Sequence, residues 1–139
     1  MRRPIIDPLS HNNMLYAMNF IPSDKSDIQA CKQLEVTPLN EVQPFISELL
    51  IWQQDFNWPV APFVKQKLIQ FDEELIKPLK EVLTGDDVVW KYFILMELMP
   101  EVKNNVISSL QPELKQIAYF PSVDEKSEEI DELALKYLT

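Results

Sequence analysis

A single glycine, Gly85, stands in a chain of 139 residues that carries 11 prolines. Glycine supplies the positive-φ positions of tight turns and lets backbone approach a phosphate closely. A dinucleotide-binding fingerprint and a phosphate-binding P-loop each need several glycines at fixed spacing, so neither can exist here. A β-sandwich or barrel would also need many glycine turns, and no segment alternates with period two for long enough to predict a strand. The lone Cys31 cannot form an intrachain disulfide or a Cys-rich zinc site. The lone His11 cannot build a histidine metal cage. These counts predict no metal and no cofactor.

Charge narrows the partners. With 13 Lys+Arg against 22 Asp+Glu the net charge is −9, which argues against nucleic acid, whose phosphates would repel the chain. No stretch approaches the ~18 apolar residues of a membrane helix. Arg2 and Arg3 resemble the start of a signal peptide, but Pro4, Asp7, Pro8 and the polar residues 11–13 break the apolar run that should come after them. A cytoplasmic protein is expected. Residues 1–20 read as a flexible leader or N-terminal extension, with charge +1 against −10 for the rest, and Met18 offers an alternative start. Residues 21–139 are expected to form a single helical-repeat domain.

From residue 23 onward the pattern is helical almost without pause. A short helix is expected over residues 24–35, with Ile28, Cys31 and Leu34 on one face. Thr37 and Pro38 read as the cap and first-turn proline of the next, where Val42, Phe45, Ile46, Leu49 and Leu50 fit the i, i+3, i+4, i+7, i+8 template. Residues 58–71 repeat that template, and Leu75, Leu79 and Val82 form the next stripe. Gly85 falls where a C-cap glycine belongs, and Asp86 and Asp87 can cap the next helix. Residues 88–99 are apolar nearly all round, which predicts a buried central helix ended by Pro100. Val106 to Ile117 and Ile130 to Leu138 supply the last stripes. The count is about seven helices joined by short loops.

A repeat organises them. Pro44, Pro78 and Pro112 stand 34 residues apart in succession. Two residues before each sits Val42, Ile76 or Leu110, and five residues after sits Leu49, Leu83 or Ile117. Each pair brackets its proline across two helical turns on one face. The tryptophan motifs Asp55-Phe56-Asn57-Trp58 and Asp87-Val88-Val89-Trp90 are offset by 32 residues. A period of this size with two helices per unit marks an α-solenoid. The expected fold is all-α, a solenoid of stacked antiparallel helix pairs of the HEAT or armadillo kind. The acidic last segment, from Asp124 to Glu132, reads as its solvating end.

Three segments also carry a family resemblance: residues 21–27, the run Trp52-Gln53-Gln54-Asp55-Phe56-Asn57-Trp58-Pro59-Val60-Ala61, and residues 86–95. They resemble a bacterial family of unknown function, the family numbered 5071, over about residues 18–138. The resemblance implies a short, helical, single-domain protein and brings no activity with it.

Asp55, Asn57, Trp58, Asp86, Asp87, Trp90, Lys91 and Tyr92 are the candidate binding residues. Equivalent turns of stacked units lie side by side, so their carboxylates would form a short negative ladder beside two indoles, suited to a basic or aromatic group of a partner. The competing reading is that the aspartates cap helices and the tryptophans fill core. Asp72-Glu73-Glu74, Asp86-Asp87 and Glu128-Glu129 read as helix first turns or solvated faces, so no catalytic residue is expected. Cys31 reads as a buried thiol, and Lys65, Lys67, Lys77 and Lys80 read as a solvated basic face. The expected role is a non-enzymatic protein-interaction module, a scaffold or adaptor, whose partner is another and basic protein. The alternatives are an immunity-type protein that neutralises a basic toxin domain, and an enzyme using clustered carboxylates.

Overall fold

A computed structural model describes residues 19–139. Among these residues every regular element is helical, in nine continuous stretches: α1 (Ile28–Val36), α2 (39–51), α3 (Ala61–Leu68), α4 (73–84), α5 (88–101), α6 (Asn104–Ser109), α7 (Gln111–Tyr119), α8 (Val123–Ser127) and α9 (Ile130–Leu135). The all-α expectation holds. Most of the expected leader, with His11 and Met18, lies outside the described residues. Phe20, assigned to that leader, is buried and sets its ring edge-on to Phe45 at 5.6 Å, so the core extends to residue 20.

Nine stretches replace about seven for local reasons. The stripe from Val106 to Ile117 is cut at Leu110 (φ −99, ψ 6), because Pro112 has no N–H to continue a helix and takes the first turn of α7 instead. Ser122 then starts the extra five-residue α8 with a capping box, its Oγ accepting from Glu125 N and its N–H donating to Glu125 Oε1. At the other end α1 starts late. Asp27 caps it through Ala30 N at 3.1 Å and also binds Ser23, which holds the preceding residues in a turn. Thr37, expected to cap α2, instead donates its hydroxyl back to Gln33 O at 2.6 Å.

Gly85 does close α4, but at φ −80 and ψ −169, a backbone any residue adopts. Its missing Cβ matters for space, since one would sit 3.2 Å from Glu81 O. The helix after it differs from expectation. Ile94, Leu95, Leu98 and Met99 are buried, whereas Val89, Tyr92 and Met96 on the opposite side of α5 are exposed. Midway, over Ile94–Leu98, α5 widens to a π-helix before tightening at Pro100. The Leu95 carbonyl in this segment accepts the Tyr137 hydroxyl at 2.6 Å.

One continuous hydrophobic core runs from Phe20 to Ala134. The three helices that carry Pro44, Pro78 and Pro112 pack on one another in chain order, α2 on α4 and α4 on α7. Leu49, Leu83 and Ile117, the equivalent positions five residues after each proline, are all buried. Around this row α3 packs on α1 and α2, α5 on α4 and α9, and α9 on α7. Five of the cross-links have a reach close to the proline spacing. Lys67 donates to Glu35 O, Lys103 to Gln70 O, Asn105 to Asp72, Lys91 to Glu125 and Lys65 to Glu101, over 32 to 36 residues of sequence. Replacing Tyr137 by Phe should strip the Leu95 carbonyl of its donor and cost about 1–2 kcal/mol. Urea unfolding should show this as a lower midpoint at unchanged slope.

Candidate functional site

Asp55, Asn57 and Trp58 form a self-contained turn between α2 and α3. Asp55 Oδ1 accepts Asn57 N–H at 2.9 Å, and the Asp55 carbonyl accepts Trp58 N–H at 3.1 Å. The Trp58 ring meets Trp52 edge-on at 5.7 Å. Buried Gln53 ties the turn to α3 through Ala61 O at 2.9 Å. Such Asx geometry is what a short polar side chain ahead of a bend produces.

Asp87 caps α5 through Trp90 N at 3.0 Å. The Trp90 indole donates to Leu50 O, in the last turn of α2, at 3.1 Å. Tyr92 stands edge-on to Phe93 at 5.2 Å on the exposed side of α5. Each of Asp55 and Asp87 is therefore engaged by its own local backbone, and Trp90 joins two helices.

Asp86 and Lys91 belong to a different feature, a cleft of about 460 Å³. It lies between the end of α4, the start of α5, α7 and the start of α8. Glu113, Phe120, Asp124 and Glu125 complete its charged and aromatic lining. Lys91 is 4% exposed and its Nζ lies 2.6 Å from Glu125 Oε2, itself on a buried residue. Burial pushes the Glu125 carboxyl up, but the Lys91 hydrogen bond, the Ser122 N–H and the Lys91 charge outweigh it and hold the group below its ordinary value. Lys91, expected to meet a partner, is thus spent inside the protein.

The remaining carboxylates of the cleft have no such counter-charge among the described residues. Asp86 and Asp124 are exposed. Glu113 Oε1 is fully buried and has no hydrogen-bond partner among the described residues. Phe120 is 71% exposed at the rim, continuous with exposed Tyr119 and Val123. Carboxylates beside an open aromatic face can take an ammonium or, better, a planar guanidinium that both pairs and stacks. No group of three or more His, Cys, Asp or Glu side chains among the described residues is placed to hold a metal ion.

The sequence reading missed Glu113, Phe120, Asp124 and Glu125. Two signals pointed to Glu125 alone: the Ser122-x-x-Glu125 capping-box pattern, and its spacing of 34 residues from Lys91, equal to the proline spacing. The acidic end is also less solvated than expected, since Glu125 and Asp131 are buried and Asp131 pairs with Lys126 at 3.0 Å. Nor is the basic face all solvated: Lys67 is buried and Lys65 pairs with Glu101.

A family model described as a domain of unknown function, DUF5071, matches residues 20–138. No curated protein matches the chain.

Lys91→Met should leave the Glu125 carboxylate buried without its partner and destabilise by about 3 kcal/mol, with part of the loss recovered by adding Glu125→Gln. Because the Glu125 carboxyl is held low in the folded protein, its contribution is present above the ordinary glutamate range. It is lost as pH falls through the lowered value. Thermal melts of wild type and Lys91→Met between neutral and acid pH should therefore converge. Asp87→Ala should cost about 1 kcal/mol as a lost helix cap, read by the same melts.

Proposed function

We propose that this chain, which belongs to the DUF5071 family, is a non-enzymatic protein-interaction module. Its fold is read as a HEAT-like α-solenoid of stacked helix pairs, and its acidic-aromatic cleft as the receiver of an arginine or lysine side chain from a basic partner protein. The solenoid reading is supported by the row α2, α4, α7 and by cross-links that each reach about one repeat. In a stacked array, residues one repeat apart become neighbours. A net charge of −9 favours encounter with a basic partner, and a cytoplasmic setting remains the expected one.

The observation that carries the reading is the charge balance of the cleft. Four carboxylates, Asp86, Glu113, Asp124 and Glu125, face one ammonium, Lys91, whose charge Glu125 already takes up. The binding edge is thereby moved from the Asp55–Trp58 turn to the region between Asp86 and Phe120. Titration with an oligoarginine peptide, monitored by amide NMR, tests it. Shifts should concentrate on residues 83–91 and 113–125 and weaken with salt. Asp86→Asn with Asp124→Asn should reduce affinity about tenfold without lowering the melting temperature, because neither side chain supports a fold contact. Shifts spread over the whole acidic surface, or equal affinity in the double variant, would overturn the reading.

A further inference from the structure

A second cleft has the opposite character. It lies between α1 and α3, measures about 620 Å³, and falls within the size range of small-molecule sites, roughly 300–1,000 Å³. Its charged lining is Lys32, Lys67 and Glu35, two ammoniums against one carboxylate, on a chain of net −9. Ile28, Cys31 and Phe63 supply the apolar surface, with Phe63 52% exposed. Burial pushes the Cys31 thiol up to about 11, so it stays neutral and serves as apolar floor.

Lys67 is the unusual member. It is 6% exposed, and its one hydrogen bond goes to the neutral Glu35 carbonyl at 3.2 Å. No carboxylate among the described residues lies within ion-pair distance of it. An ammonium carries three donors, and a buried charge is costly until those donors meet charged or well-placed acceptors. Burial pushes Lys67 down from the ordinary lysine value, and the Glu35 charge opposes this only in part. Capping the end of α1 uses one donor and leaves two.

We propose that this cleft is a binding site for a small amphipathic carboxylate, aromatic or medium-chain, whose head group takes the free donors of Lys67 and whose tail lies against Ile28, Cys31 and Phe63. A monoanion suits it better than a phosphate dianion because Glu35 shares the lining and its carboxylate repels added negative charge. The site is separate from the acidic cleft and does not depend on its reading.

Benzoate, benzyl alcohol and benzylamine make a probe series of similar shape and differing charge. Benzoate should shift amide signals of α1 and α3 and raise the pH at which the Lys67 side-chain signals titrate. Benzyl alcohol should bind about tenfold more weakly, the difference made by one charge-assisted hydrogen bond, and benzylamine should bind more weakly still. Lys67→Met keeps most of the stem and removes the charge, and should bring benzoate down to the affinity of benzyl alcohol. Equal binding of benzoate and benzyl alcohol to wild type, or no shift in α1 and α3 at tens of millimolar benzoate, would overturn the proposal. The wild-type series decides the matter even if Lys67→Met fails to fold.

Discussion

A helix leaves its last four carbonyls without intrahelical partners, and a chain of short helices multiplies that shortage. Here α6 and α9 have six residues each, and α1 and α7 nine. Water can serve the exposed ends, but the ends that pack inward need donors from the protein. The fold supplies two of them from side chains distant in sequence, Lys67 to Glu35 O in α1 and Trp90 to Leu50 O in α2, and it serves other carbonyls the same way: Lys103 to Gln70 O just past α3, Gln111 to Tyr137 O just past α9, and Tyr137 to Leu95 O in the π-helical part of α5. At the ends of α1 and α2, closing the helix and joining it to another are thus the same bond.

This constraint shapes what is left for function. Trp90, attractive as a ligand-facing indole, has its N–H committed to α2. Lys91 and Glu125 neutralise each other and hold the start of α8 through Ser122. What remains uncommitted is charge: Asp86, Glu113 and Asp124 at one cleft, and two donors of Lys67 at the other. The two clefts differ in sign because one gathers carboxylates around a spent ammonium, whereas the other buries an ammonium with only a carbonyl to meet it.

Periodicity and proline spacing were enough to read the all-helical class, most helix positions, and the burial of Leu49, Leu83 and Ile117, since these depend on local pattern. The split at Leu110 and the separate α8 were written locally too, in Pro112 and in the Ser122–Glu125 box. Exposure of Val89, Tyr92 and Met96 was not legible, because an apolar helix gives no sign of which face lacks a neighbour. The candidate site was half visible. Asp86 and Lys91 were found, while Glu113 and Phe120 reach the same cleft only through the packing of α7 beside α4 and α5. Asp55 and Asp87 took the capping alternative, in which a short carboxylate satisfies the nearest backbone N–H.

The limited sequence reach of the cross-links bears on how the chain orders itself. Among the described residues the longest side-chain hydrogen bond joins residues 42 apart, Tyr137 to Leu95, so none closes the first helices onto the last. Loop-closure entropy rises with the logarithm of the segment closed, and here each closure spans a similar length. Contacts of such limited sequence separation favour quick folding. By the same token the C-terminal helices, anchored through Tyr137, Gln111 and Glu125, can open while the helices before them keep their own bonds.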